Sequence, residues 1–377
     1  MQAKGDSNNK APRHFRRLVL STLATAFILA PIMVSSACSP GYLPSDLVNG
    51  LRILAVEADK PYLLPGESVT FELHLRDGHP DGARPVNVLW LGGCVNPPGD
   101  LYYGCFLQFA EIFKALGEGG LMPPQPGQPP PNFPPGLIGF SPAVTTSTTF
   151  TTTIPMDIVS SRPTPDGGAK YGIAYMFFFA CAGQIKPIEV DPGGAAGFLP
   201  LGCFDSEGKR LPADSFVPGY TQVYSFEDER RNENPVVKGL IVNGVRTADD
   251  PAAIPIVKAC PQTFDERRQV GCFAPEPFEG CESVKLDVDV DPDIAEIDPG
   301  EIVNGKPIYE AVWVDWLVDS GDVTRGIELI SGVTEGYKKD HETQWFPPSE
   351  PGLYTLWATV RDTRGGATFI ERSIIVE

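Results

Sequence analysis

The chain has 377 residues, 30 of them basic and 48 acidic, and a formal charge of −18. A body this acidic repels phosphate backbones, which excludes nucleic acid as a partner; acidity keeps a surface soluble but identifies no ligand. Glycine and proline number 39 each, above ordinary usage, and they separate short β-branched and aromatic runs, which argues for all-β domains rather than helical ones.

The amino terminus reads "FRRLVLSTLATAFILAPIMVSSACSPGY". Leu18 to Val34 is apolar and uncharged, and Lys4, Lys10, Arg13, Arg16 and Arg17 precede it. Positive charge, a short apolar stretch and then small residues is the layout of a secretory signal. Ser35, Ser36 and Ala37 lead directly into Cys38, which resembles the lipobox of bacterial lipoproteins, although Ser35 stands where leucine is usual. The resemblance implies cleavage after residue 37, lipidation (palmitate) of Cys38, and a membrane partner reached through that lipid. Ser39 after the cysteine resembles lipoproteins sorted to the outer membrane; cell-surface and periplasmic faces stay open. Two alternatives stand: an ordinary cut nearby with Cys38 in a disulfide, or a permanent single-span anchor. Against the anchor, Pro31 inside the stretch costs a helix about 3 kcal/mol. Removing residues 1–37 takes away five basic residues and Asp6, a net +4, so the remainder carries −22. About 340 residues remain, enough for two domains with their own cores.

Residues 38–50 read as a tether and 51–228 as a first domain. "LRILAVEADKPYLLPGE" gives a strand and a Pro-Gly turn. "SVTFELHLRD" alternates strictly: Val69, Phe71, Leu73 and Leu75 face one way, and Thr70, Glu72, His74 and Arg76 the other. That is the mark of a half-buried strand. "PVNVLWLGGC" is the next strand, followed by "LQFAEIFKALGEGG", one short helix with Phe109, Ile112 and Phe113 on one side. The insert at 122–136, "MPPQPGQPPPNFPPG", is neither helix nor inner strand, because proline lacks the amide donor; it reads as a stiff surface excursion. "TTSTTFTTTIP" is extended. "YGIAYMFFFACAG" is apolar on both faces and predicts a central strand covered on both sides. "FVPGYTQVYSF" closes the unit.

"EDERRNENP" marks a boundary, with a linker at 229–235. The second domain, 236–377, holds "VVKGLIVNGV", a cysteine loop from 260 to 281, then "SVKLDVDVD", "EAVWVDWLVDS", "GLYTLWATVRD" and "ATFIERSIIV". "EPGLYTLWATVRDTRGG" resembles the penultimate strand of PKD-type and related immunoglobulin-like domains, and "VWVDWLVDSGD" resembles their tryptophan-bearing central strand. Tyr354 matches the corner tyrosine, whose hydroxyl bonds back to nearby backbone. "LLPGESVTFELHL" matches the opening strands more loosely. The resemblance implies two immunoglobulin-like antiparallel β-sandwiches in tandem, a fold that hosts many functions.

Export places the seven remaining cysteines in an oxidising compartment, where disulfides are the default. Neighbours in sequence suggest Cys94–Cys105, Cys181–Cys203 and Cys260–Cys281, leaving Cys272. With no CxxC pair, and with His14, His74, His79 and His341 scattered, a zinc motif is not legible.

No nucleophile elbow, HExxH or P-loop is present, so the chain reads as a non-enzyme without catalytic residues or a resident cofactor. In "DVDVDPDIAEIDPGE", Asp287, Asp289 and Asp291 share one strand face and repel unless a cation intervenes, which makes calcium a candidate; a solvated acidic face is the alternative. Parity sends Val312, Val314, Trp316 and Val318 inward, with Tyr354, Leu356, Ala358 and Val360. It sends Trp313 and Trp357 outward, beside Phe369 of the last strand. Such a stripe marks a binding surface unless the first domain covers it. The expected function is a non-catalytic, lipid-anchored envelope module on the outer membrane that binds a protein or glycan partner or acts as a scaffold. The runner-up is an accessory lipoprotein subunit of an envelope complex, and the third reading a carboxylate-dependent hydrolase.

Overall fold

The structure, a computed structural model, describes residues 44–106, 109, 137–138, 144–163, 169–188, 201–228, 230–247, 253–263, 266, 280–303 and 305–377. The signal segment, Cys38, the proline-rich insert, Cys272 and nearly all of the expected short helix lie outside these residues. The fold is all-β: two antiparallel sandwiches follow one another along the chain. Among the described residues no helix is long and apolar enough to cross a membrane.

In the first sandwich, Leu51–Ala58, Ser68–Asp77 and Thr149–Thr153 form a three-stranded sheet in that order. The facing sheet runs Tyr62–Leu63, Phe216–Phe226, Tyr171–Cys181, Asn87–Val95 and Leu137–Ile138, with Val144–Thr145 also paired to Asn87–Val95. The alternation in "SVTFELHLRD" does what period two requires: Val69, Phe71 and Leu73 are buried against Trp90, Met176 and Phe178 of the opposite sheet. Tyr171–Cys181 is the central strand, with partners on both edges. Both of its faces are covered. Ala174, Met176 and Phe178 join the inter-sheet core, whereas Ile173, Tyr175, Phe177 and Phe179 join a second core on the outer face. That outer core is roofed by Cys105, Phe106 and Phe109 and by Gln184–Pro187 and Leu201–Phe204, a two-stranded ribbon. Cys94 is bonded to Cys105 and Cys181 to Cys203, with Cα atoms 5.8 and 5.6 Å apart, so each bridge joins a strand of the sheet to its roof. Cys260 is bonded to Cys281 in the second unit. These are the three pairs set out from sequence.

In the second sandwich, one sheet runs Val245–Arg246, Val237–Val242, Val284–Val290, Thr343–Phe346 and Asp322–Val323. The other runs Ile256–Val257, Ala367–Val376, Gly352–Asp362, Val312–Val318, Ile327–Gly332 and Gly336–Tyr337. Val314, Trp316, Leu356, Ala358 and Val360 pack inward against Leu286, Val288 and Trp345. The Tyr354 hydroxyl donates to the Glu350 carbonyl at 2.9 Å, closing the corner. Ile327–Gly332 and Thr343–Phe346 are strands that sequence periodicity did not single out.

The stretch expected as a free tether departs from that reading at its end. Along Val312–Val318, Ile327–Gly332 pairs only as far as Asp315, which leaves the Val318 end of that strand open. Residues 46–48 fill the place. Leu47 bridges Val318 in parallel, Val318 N–H donates to the Asp46 carbonyl at 2.9 Å, and Val48 N–H donates to the Val318 carbonyl at 2.8 Å. Leu47 joins the second core, although the chain then turns directly into the first strand of the first sandwich.

Candidate functional site

The three acidic residues of Val284–Val290 and its continuation each face a separate basic side chain of the protein. The Asp287 carboxylate lies 2.6 Å from His341 Nδ1, Asp289 pairs with Arg246 at 3.4 Å, and Asp291 pairs with Lys238. The basic partners come from Val237–Val242, Val245–Arg246 and the approach to Thr343–Phe346, none adjacent in sequence, so the aspartates alone suggested an unbalanced charge that the fold balances.

The aromatic stripe is oriented as parity predicts, but it is not a free binding surface. Gly352–Asp362 lies between Val312–Val318 and Ala367–Val376, and Trp357 points away from the second core. It is nevertheless only 1% exposed, clustered with Val48, Leu54, Leu317 and Phe369. Val48 and Leu54 belong to the amino-terminal segment and the opening strand of the first sandwich. The Trp357 indole N–H donates to Glu371 Oε2 at 2.6 Å. Trp313 stands apart, half-buried, opposite Arg361.

A β-bulge explains the cover. The pairing of Leu51–Ala58 with Ser68–Asp77 slips between Ile53 and Ala55, so Leu54 is the extra residue. A bulge re-aims a side chain and frees a backbone group from the ladder. The Leu54 side chain goes to Trp357, and its carbonyl accepts from Thr359 Oγ1 and from the Arg361 guanidinium, each at 3.2 Å. Arg361 is itself paired with Asp315 at 2.7 Å.

The charged segment between the sandwiches is pinned as well. Asn232 is buried and donates to Asp362 Oδ2 at 2.9 Å, while Asp362 Oδ1 accepts the N–H groups of Arg364 and Gly366. Asn234 donates to the Ala58 carbonyl at 2.8 Å and accepts from Ala367 N–H at 3.0 Å, so one side chain ties the two units. Arg364 lies 2.7 Å from the Glu310 carboxylate. Asp319 accepts from Thr355 N–H at 2.8 Å, and burial pushes its carboxyl up to about 6.

The outer face of the three-stranded sheet completes this junction. Glu57 stands directly opposite Glu72, and His74 lies opposite Ala55 on the same face. His74 Nε2 is 2.6 Å from Glu57 Oε2, the ring stacks on Phe369 with centroids 4.2 Å apart, and Phe369 N–H donates to Glu57 Oε1 at 2.6 Å. One donor atom from each of Glu57, Glu72 and His74 lies within 4.8 Å of the others. Sequence reasoning put Glu72 and His74 on one face but could not supply Glu57, because the register across the bulge is not visible in the chain.

A second surface carries no local sign in the sequence. Tyr102 and Tyr220 stack at 4.3 Å, and both are exposed, with Leu101 and Tyr103 beside them in sequence. Beneath them the Tyr175 hydroxyl donates to the Asp100 carbonyl at 2.7 Å, and Asp100 Oδ2 accepts from Tyr171 at 2.6 Å and Arg162 at 2.9 Å. Burial pushes Tyr175 up to about 12, so it stays a neutral donor.

No family model matches the sequence, and no curated protein matches it. Among solved structures, the chain is similar to the D00-D0 domain of intimin, at 9% identity over 87% of this chain and 98% of that one, with a TM-score of 0.20. It is similar to fibronectin(III)-like modules of CbhA from Clostridium thermocellum, at 13% identity over 86% and 94%, TM-score 0.20. It is also similar to red sea bream transglutaminase, at 9% identity over 88% of this chain and 32% of that one, TM-score 0.22. Overlaps this loose carry no argument; the sandwich assignment rests on the chain's own sheets.

Proposed function

We propose that this is a lipid-anchored protein of the outer membrane that acts without catalysis, presenting two joined β-sandwiches as a binding or scaffold body. The observation that carries the reading is the placement of residues 46–48. They lie within the second sandwich and lead straight into the first, only eight residues after Cys38. Eight residues reach at most about 30 Å. A chain fastened at Cys38 would therefore hold both units close to the bilayer, which suits a scaffold better than a receptor reaching far from it. Fractionation tests it. Cys38→Ser should move the protein out of the membrane fraction, and labelled palmitate should enter the wild type only. Wild-type protein found soluble and unlabelled would overturn the anchor.

A second reading, an accessory subunit of an envelope complex, is favoured by the exposed Tyr102–Tyr220 stack. Tyrosine supplies large contact area with a polar tip, as interface cores use it. Co-purification from detergent separates the two readings: a partner lost on Tyr102→Ala with Tyr220→Ala supports the subunit, and a partner retained argues against that face.

A further inference from the structure

On the outer face of the three-stranded sheet, two glutamates stand directly opposite each other across antiparallel strands. Like charges in that register repel. The nearest side chain of other chemistry is an imidazole, two residues along from Glu72. We propose that Glu57, Glu72 and His74 bind one divalent transition-metal ion of the zinc class, and that the ion fastens the junction between the sandwiches.

Two of the three donors are already held in place. Glu57 Oε1 is occupied by Phe369 N–H at 2.6 Å, which turns Oε2 toward His74. The His74 ring is clamped face-on to Phe369, at 4.2 Å and 21° between planes. Outer contacts that fix ligand orientation are what a metal site needs, since they cut the ordering cost of binding. Glu72 is exposed and can swing in.

The donor set selects the class of ion. One imidazole and two carboxylates suit zinc and its neighbours, whereas calcium takes six to eight oxygens. Zinc–ligand bonds of about 2.0–2.2 Å place neighbouring donors roughly 3.3–3.6 Å apart in a tetrahedron. The His74–Glu57 pair, now 2.6 Å apart, would open by about 1 Å, and donors within 4.8 Å would close by a similar amount. Both are side-chain movements, with no change of register. The ion replaces the hydrogen bond between His74 and Glu57, and water fills the fourth position.

Binding and docking then reinforce each other. The group that holds Glu57, and the ring that holds His74, both belong to Phe369 of the second sandwich, whereas all three ligands belong to the first. Whatever the ion gains from a docked junction, the junction gains from the ion.

The full chain, purified in detergent and stripped with chelator, is titrated with Zn(II) by calorimetry and melted with and without it. Co(II) reports ligand geometry by visible absorption. We expect one equivalent of saturable binding and a higher melting temperature. Glu72→Gln, which removes a donor without touching the bonds to Phe369, should weaken binding at least tenfold and abolish the cobalt spectrum. His79→Gln should change neither. No saturable binding, unchanged binding in Glu72→Gln, or loss in His79→Gln would each overturn the proposal.

Discussion

Trp357 is the sharpest test of how the two sandwiches are joined. An indole at 1% exposure, facing away from its own core, is covered by Val48 of the amino-terminal segment and Leu54 of the first sandwich, with Leu317 and Phe369 beside it. An aromatic of this size buries on the order of 200 Å², or about 5 kcal/mol at 25 cal/mol per Å². Large-to-small aromatic changes cost roughly 3–5 kcal/mol. The cover from outside the second sheet is one stretch of chain, Val48 to Leu54, that can settle into the gap, so Trp357→Ala is expected near the lower end, at about 3 kcal/mol. Leu54→Ala should cost about 2 kcal/mol for the same contact seen from the other side. Because the pair is in contact, the double mutant should fall short of the sum by about 1 kcal/mol. Trp313, half-buried and outside the cluster, is the control, and Trp313→Ala should cost about 1 kcal/mol or less. Urea unfolding followed by far-ultraviolet circular dichroism reads all four, and it avoids the loss of tryptophan signal. If Trp357→Ala proves as mild as Trp313→Ala, or the two main changes are strictly additive, the first sandwich does not cover the stripe.

Asp319 makes stability depend on pH. Its carboxyl sits at about 6 in the folded chain against an ordinary 3.8, so the native state binds the extra proton and this group's contribution to stability should fall as pH rises from about 4 to about 6 and then level off. Asp319→Asn should flatten that part of the profile in urea midpoints, and an unchanged slope would refute the assignment. Gly93→Ala should be severe, because a Cβ there would lie 1.6 Å from the Tyr175 carbonyl oxygen in the neighbouring strand. A loss upward of about 3 kcal/mol, or no soluble protein, is expected, and a melting temperature close to wild type would show that the two strands can part at that point.

What the sequence revealed and what it hid follow from range. Alternation is a local property, so Val69, Phe71 and Leu73 on one side and Val312, Val314, Trp316 and Val318 on another could be assigned to cores from the chain alone, and they are buried as assigned. The double-sided run "YGIAYMFFFACAG" could be recognised as central for the same reason. Short strands such as Thr343–Phe346 carry too few residues for a period to show. The acidic strand gave no sign of its partners, because His341, Arg246 and Lys238 come from elsewhere in the fold, and a basic side chain distant in sequence leaves no local mark.

The sequence left the junction open for a subtler reason. Parity turned Trp357 outward correctly, but it is silent about what lies above a face. The answer lay in one irregular residue. Had Leu51–Ala58 paired without a slip, Leu54 would have kept its place in the ladder opposite Ser68–Asp77. The bulge instead hands both its side chain and its carbonyl to the second sandwich, where Trp357, Thr359 and Arg361 receive them. The same strand then delivers Glu57 to the N–H of Phe369 three residues later. One inserted residue thus sets the contact between two domains and the register that brings Glu57, Glu72 and His74 together. It follows that deleting Leu54 should do more than remove an apolar contact. It should restore a regular ladder and release Thr359 and Arg361 from the Leu54 carbonyl, read as faster hydrogen exchange along Gly352–Asp362, while Asn234 and Leu47 keep the units joined. Unchanged exchange there would refute the role given to the bulge.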